Sequence, residues 1–266
     1  MTLAGKTYLV TGAARRLGSH FARAIASAGA NVVIHHAHSE AAAAALAGEI
    51  RQMGREAWVV QADFNYPNQA AAVVDQAWEI APLDGVVNNA AIFEPLQVMN
   101  TTQSDWQRHL DVNLTAPFLL SQAFAKRLPA ESEGRIINIL DWRALRPGRD
   151  HFPYTISKAG LAAMTRTLAL VLAPRIMVNG LALGAILPPS DGGEETGLTR
   201  RVPAGRWAKI EEVCAALLFL LSGRLILRAR SSMWTAADIW FEWTKGRYDG
   251  SNIYPRPYRA GCDRGG

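Results

Sequence analysis

Six short apolar runs punctuate the chain: "TYLVTG" over 7–12, "NVVIHH" over 31–36, "AWVVQAD" over 57–63, "DGVVNNAA" over 84–91, "GRIINIL" over 134–140 and "IMVNGLA" over 176–182. Each has strand length and is continuously apolar, which implies a sheet buried on both faces. Between them lie Ala-rich or amphipathic stretches of helix length, and strand–helix alternation implies parallel crossovers. The pattern predicts an α/β chain built on a single Rossmann-type doubly wound parallel sheet with helices on both faces. Ligands are then expected beyond the carboxyl ends of the strands. This organisation covers residues 1–222, with no internal repeat or linker, and residues 223–266 follow as a tail of different character.

Bulk properties narrow the function classes. A chain of 266 residues suits one large α/β domain. The net charge of +5 is concentrated in the tail, where eight Lys/Arg stand against four Asp/Glu. These charges are scattered and mark no patterned basic helix, so nucleic-acid binding is not expected. Cys214 and Cys262 are too few for a disulfide framework or a zinc site, which points to a reducing cytoplasm. The opening lacks a signal-peptide pattern, and no apolar run reaches membrane-spanning length.

The first chemistry-bearing motif is "VTGAARRLGSH", at the junction of the first strand and first helix. Gly12 permits a tight turn, Gly18 lets the helix approach the sheet, and backbone N–H groups at the helix start can face a pyrophosphate. The bland reading is an ordinary glycine turn, but the position favours cofactor binding. At the end of the second strand, an acid would select NAD by accepting from the ribose hydroxyls. The stretch instead reads His35-His36-Ala37-His38-Ser39, and Arg15 lies in the neighbouring loop, so NADPH is the expected cofactor. The three histidines are alternatively polar strand-end residues or part of a metal site.

The second motif is "YTISK". Tyr154 and Lys158 are four residues apart in a helical stretch and share a face, so an ammonium can sit near a phenol. The charge should lower the pKa of the phenol, ordinarily about 10, and favour proton exchange near neutrality. Asn113 lies in a separate helical segment, "DVNLTAP", and Asp141 precedes the tyrosine by thirteen residues.

"TGAARRLG", "NNAA", Asn113 and "YTISK" occur in the order and spacing of the short-chain dehydrogenase/reductase family, which the chain resembles from residue 5 to about 222. That family's catalytic tetrad is Asn, Ser, Tyr and Lys, and here Asp141 stands in the serine position. The arginine in "TGAARRLG", the phenylalanine in "NNAAIF" and the aspartate in "ILDWRA" resemble the pteridine reductases, with the similar dihydromonapterin and dihydrofolate reductases. The resemblance implies that Asp141 works with Tyr154 to protonate a ring nitrogen of a pterin, since reducing a C=N bond requires a proton on nitrogen. It further implies that Phe93 stacks on the pterin, that Arg16 contacts both cofactor phosphate and substrate, and that Asn113 holds a water linking Lys158 to solvent. Cofactor contacts are implied for Leu17, His38, Ser39, Asp63, Asn89, Ala90, Gly184 and Ile186, and for Tyr154 and Lys158 themselves. Structural alternatives remain for Phe93, as a core aromatic, and for Asp141, as a cap on the following turn. Trp142, Arg143 and Arg146 line either the site or its rim.

Two departures stand out. Leu183 replaces a proline before Gly184, in the loop expected to cover the nicotinamide, and the Gly/Pro-rich stretch 188–207 resembles a substrate loop. After Ser222 the family's final strand and Val-Asp-Gly-Gly turn give way to a tail holding three of eight tryptophans and three of six tyrosines. Codons compatible with residues 223–240, read from the last base of the Gly223 codon, spell "PTYITGALLHVDGGRHL", the expected ending. A single-base shift near Ser222 and Gly223 explains the tail, and implies a last strand that is missing or poorly replaced. The resemblance implies a homo-oligomer, but the altered segment commonly helps such subunits pack. Other enzyme readings are a reductase of a ketone or 3-oxoacyl group. A different class is a dinucleotide-binding protein without turnover.

Overall fold

The structure is a computed structural model that describes residues 2–184, 186 and 206–223, and the backbone of 233–235. Its strands are β1 (Thr7–Val10), β2 (Asn31–His36), β3 (Ala57–Gln61), β4 (Gly85–Asn88), β5 (Gly134–Asp141), β6 (Ile176–Leu183) and β7 (Met233–Thr235). They form one sheet in the order β3-β2-β1-β4-β5-β6-β7, and every neighbouring pair is parallel. The helices are α1 (Arg16–Ser27), α2 (Glu40–Gln52), α3 (Asn68–Ile80), α4 (Gln103–Leu110), α5 (Ala116–Arg127), α6 (Phe152–Leu172) and α7 (Ile210–Ser222), with a π-helical turn, Asp111–Thr115, between α4 and α5.

Alternation along the strands divides the core. On β1, Tyr8 and Val10 face one layer, with Phe21 and Ile25 of α1, Leu46 and Ile50 of α2, and Leu217 and Leu221 of α7. Leu9 faces the other, with Val73 and Val74 of α3 and Leu120 and Phe124 of α5. Burial on both faces explains the continuous apolar runs. The strand order reverses between β1 and β4, and a crevice opens there at the carboxyl ends of the strands, where such folds bind ligands.

Strand ends differ from the sequence expectation for a local reason. The run over 84–91 stops pairing at Asn88 because the Asn89 and Ala90 N–H groups each donate to Thr11 Oγ1 at 3.0 Å. The run over 7–12 stops at Val10, just before Gly12 turns the chain at φ +59°. The expectation of a missing last strand is corrected in part: β7 pairs parallel with Gly180–Ala182 of β6, although over three residues only. Residues 224–232 and 236–266 lie outside the described residues, as do 188–205 of the expected substrate loop.

A buried polar seam fixes the elements beneath the crevice. Asn88 and Asn138 are register partners on β4 and β5, and Asn88 Nδ2 donates to Asn138 Oδ1 at 2.7 Å. Asn138 Nδ2 donates to Thr165 Oγ1 of α6 at 2.8 Å, and Asn88 Nδ2 reaches Ser121 Oγ of α5 at 3.3 Å. All four side chains are buried. Asn138→Ala removes a shared partner and leaves interior polar groups unpaired, so it should lower unfolding stability by about 1–3 kcal/mol in urea titrations.

Candidate active site

The crevice is a cavity of about 410 Å³ lined by Gly12, Arg15, Arg16, Leu17 and Gly18 of the first turn. Asn89, Ala90 and Ile92 after β4 and His38, Asp63 and Asn65 beyond β2 and β3 line it as well. Close packing shapes the glycine turn. A Cβ on Gly12 would meet Ala90 Cα at 2.9 Å, and one on Gly18 would meet the Gly12 carbonyl and stand 2.6 Å from Asn89 Nδ2. Asn89 Nδ2 donates to the Thr11 and Gly12 carbonyls at 2.8 and 3.2 Å, which ties the turn to β4. Arg16 opens α1 with φ +52°, a left-handed conformation for a non-glycine residue at the turn where a phosphate would rest. Arg15, Arg16 and His38 give this cavity basic side chains, and no acid stands on β2 or before Glu40.

His35 has a structural role that its sequence position did not reveal. Its Nδ1 accepts from the Gly12 N–H at 3.1 Å and its Nε2–H donates to the Ala62 carbonyl at 3.0 Å. The ring stacks on Phe64 with centroids 4.3 Å apart. One imidazole thereby clamps the phosphate loop, β2 and the end of β3. Burial pushes its pKa down to about 4, helped by His36 and opposed by the Ala62 hydrogen bond and the Asp63 charge. His36 Nδ1 accepts from Ser39 N–H at 3.3 Å, and Ser39 stands at the start of α2, away from the cavity lining. Only His38 of the three is exposed, 3.4 Å from Asp63 Oδ2. Among the described residues no group of three His, Cys, Asp or Glu could hold a metal.

On the other side of the reversal, β5 ends at Asp141 and α6 begins beside it. Tyr154, in the first turn of α6, donates its hydroxyl to Asp141 Oδ2 at 3.1 Å. Asp141 Oδ1 accepts from the Arg143 N–H at 2.8 Å, so the carboxyl caps the next turn and faces the phenol at once. Burial raises the Asp141 pKa; the Arg143 N–H and charge, Lys158 and the Tyr154 hydroxyl oppose it without cancelling it. Lys158 lies one turn along, buried, and its Nζ donates to the Ile139 carbonyl at 2.7 Å. Burial pushes its pKa down to about 8, with the Asp141 charge opposing.

These environments correct the expected electrostatics of the pair. The Tyr154 pKa is held well above the usual phenol value, first by burial and then by the Asp141 charge and hydrogen bond. The Arg143 charge opposes this rise without cancelling it, and the Lys158 ammonium is turned to the Ile139 carbonyl, 5.8 Å from the ring centroid. In this state Tyr154 is a protonated donor.

Asn113 sits in the π-helical turn. Its Oδ1 accepts from the Ile92 N–H at 2.9 Å, and its Nδ2 donates to the Ile92 carbonyl at 3.1 Å and to Ser157 Oγ at 3.0 Å. The amide thus braces the residue before Phe93 against α6, and both of its N–H groups are engaged within the protein. Ser157, which passes the link on to the Tyr154 carbonyl at 2.7 Å, was not singled out in the sequence. Phe93 is half-buried beside the pair, edge-on to Tyr154 with centroids 4.7 Å apart. His151 stacks on Phe93 at 3.8 Å, so one face of the ring carries a flat nitrogen heterocycle of the protein itself. Arg143 also lies over Phe93, at 5.5 Å. Gly184 follows β6 directly, and Ile186 packs on the α1 side of the core with Leu17.

Residues 6–197 match the model of the short chain dehydrogenase family. The chain belongs to the short-chain dehydrogenase/reductase family. A 3-oxoacyl-[acyl-carrier-protein] reductase of Synechocystis is 33% identical over 221 residues, spanning 82% of this chain and 90% of the relative. A 5-keto-D-gluconate 5-reductase of Escherichia coli is 33% identical over 83% of this chain and 90% of its own. Among solved structures, FolM alternative dihydrofolate reductase 1 from Brucella canis, complexed with NADP, superposes with a TM-score of 0.76. It is 36% identical, and the match covers 84% of this chain and 90% of that one. Membership makes the chain an oxidoreductase. No helix among the described residues is long and apolar enough to cross a membrane.

The His35 clamp gives a stability signature. An unfolded histidine binds a proton below about 6.5, whereas folded His35 resists protonation until about pH 4. The unfolded state therefore holds more protons within that window, and stability must fall as pH drops through it. Urea unfolding should show a loss from this residue of about 3 kcal/mol between pH 6.5 and 4. His35→Phe should remove that part of the slope, whatever its fixed cost.

Proposed function

We propose that this member of the family is an NADPH-dependent reductase of a pterin, acting on a C=N bond. The observation that carries this reading is the 3.1 Å contact between the Tyr154 hydroxyl and Asp141, where a carboxyl occupies the position of the family's serine. A serine hydroxyl suits the orientation of a carbonyl oxygen, whereas an acid behind a phenol suits proton delivery to nitrogen. Phe93 stands beside the pair and already stacks on the flat His151 ring, so a pterin would take its other face or displace that imidazole. The similarity to the Brucella protein described as an alternative dihydrofolate reductase supports the substrate class, and its NADP supports the cofactor.

The residues present fit the dinucleotide. A glycine turn closed against Ala90 leaves room for a pyrophosphate at the start of α1, and Arg15 and His38 suit a 2′-phosphate, with Asp63 held 3.4 Å from His38. Gly12, Arg16, Leu17, Gly18, Asp63, Asn89 and Ala90 line the same cavity. Bound NADPH supplies the hydride. Tyr154 donates its proton to the ring nitrogen, and Asp141, hydrogen-bonded to that hydroxyl and held above the ordinary carboxylate range by burial, is placed to restore the phenol. Lys158 holds the Ile139 carbonyl and so fixes the end of β5, and Asn113 fixes Ile92 and hence Phe93.

The relatives acting on 3-oxoacyl and keto-gluconate substrates favour a second reading, reduction of a carbonyl. Oxidation of NADPH in a substrate screen separates the two. The pterin reading expects turnover with dihydrobiopterin, dihydromonapterin or dihydrofolate and none with acetoacetyl thioesters; the reverse pattern overturns it. Tyr154→Phe should reduce kcat to background while leaving the NADPH Kd, read by fluorescence titration, within about threefold. Asp141→Ser should lower pterin turnover by about a hundredfold or more with a similarly small effect on NADPH binding. Intact pterin turnover in Asp141→Ser would remove the proton relay.

A further inference from the structure

Asp141 shares a cation with a second carboxylate. The Arg143 guanidinium is largely buried, flanked by the Trp142 ring at 4.9 Å and the Phe93 ring at 5.5 Å. Its Nη1 lies 3.9 Å from Asp141 Oδ1, beyond hydrogen-bond distance, while its Nη2 donates to Asp150 Oδ2 at 3.1 Å. Asp150 comes from the loop before α6, and its side chain is half exposed. Its Oδ2 also stands 3.0 Å from Nδ1 of His151, the residue stacked on Phe93.

We propose that Asp150, acting through Arg143, controls how readily Asp141 holds its proton, and is thereby a positioning residue for proton supply to Tyr154. This rests on the reading of Asp141 as the acid behind the phenol. The groups facing Asp141 are Arg143 from the turn after β5 and Tyr154 and Lys158 from α6, with Asp150 and His151 behind Arg143. In this arrangement the direct hydrogen bond from the guanidinium goes to Asp150, and Asp141 is left at 3.9 Å. At about 4 Å the position of one cation between two carboxylates changes how readily each ionises, so the division of that cation matters. Burial works against ionisation of Asp150, yet the Arg143 hydrogen bond and charge, with His151, hold its carboxyl below the usual range. It therefore remains an anion that draws Arg143 away from Asp141. Removing the Asp150 charge acts twice in one direction: repulsion between the carboxylates disappears, and Arg143 is free to close on Asp141. Both effects favour ionised Asp141. Removing Arg143 acts in the opposite direction.

The test follows the Asp141 carboxyl by 13C NMR titration of the full chain without substrate, assigned with Asp141→Asn. Asp150→Asn should move its midpoint down by roughly half a pH unit or more, and Arg143→Met should move it up. In the Arg143→Met background, Asp150→Asn should shift the midpoint less, because only the direct repulsion between the carboxylates remains. The basic limb of the kcat–pH profile with a dihydropterin should shift in the same directions. An unmoved or raised midpoint in Asp150→Asn overturns the proposal, as does a full shift that persists without Arg143. Midpoints that move as expected beside an unmoved kcat profile would keep the electrostatic link and refute the pterin proton supply. Should Arg143→Met fail to fold, the Asp150→Asn midpoint decides alone.

Discussion

A largely buried carboxyl held against a phenol is an unfavourable arrangement unless the surrounding structure enforces it. Asp141 and Tyr154 come from the end of β5 and the start of α6, so their contact depends on how that helix sits on that strand. Three sets of bonds fix the pairing: Asn138 to Thr165 in the core, Lys158 to the Ile139 carbonyl, and Asp141 to the Arg143 N–H. Burying these polar groups is tolerable because each has a partner. The same bonds that offset desolvation set the geometry of the site.

Desolvation also decides where the protons reside. It raises Asp141 and Tyr154 and lowers Lys158, so burial moves all three toward their neutral forms. A relay built this way starts with the proton on the phenol and a carboxyl that retains one more readily than a surface aspartate. That arrangement serves delivery of a proton to a basic nitrogen better than removal of one from an alcohol. The cofactor side follows a different rule, with backbone and small side chains closing a turn around a phosphate-sized space and His35 clamping it neutral.

Much of this architecture is legible in the sequence because burial on both sheet faces leaves unbroken apolar runs, and because a glycine turn after β1 has few other uses. Asp141, Tyr154, Lys158 and Phe93 could be placed near one another by motif order, and the fold brings them together. Strand ends were less legible, since Thr11 Oγ1 captures two N–H groups that a strand would otherwise use. The four-residue spacing of Tyr154 and Lys158 predicts proximity but not the competing carbonyl of Ile139, so the direction of the phenol shift was misjudged. His35 and the Arg143–Asp150 pair depend on contacts across 27 and 7 residues, made by strand register and loop path, which no local pattern encodes.

The central claim is spatial, and a crystal structure of the ternary complex with NADP and a dihydropterin tests it most directly. The account predicts the pterin against Phe93, with a ring nitrogen within hydrogen-bond reach of the Tyr154 hydroxyl and Asp141 still behind that hydroxyl. A pterin bound with its reducible nitrogen facing solvent, or an Asp141 side chain turned out of the crevice, would contradict it.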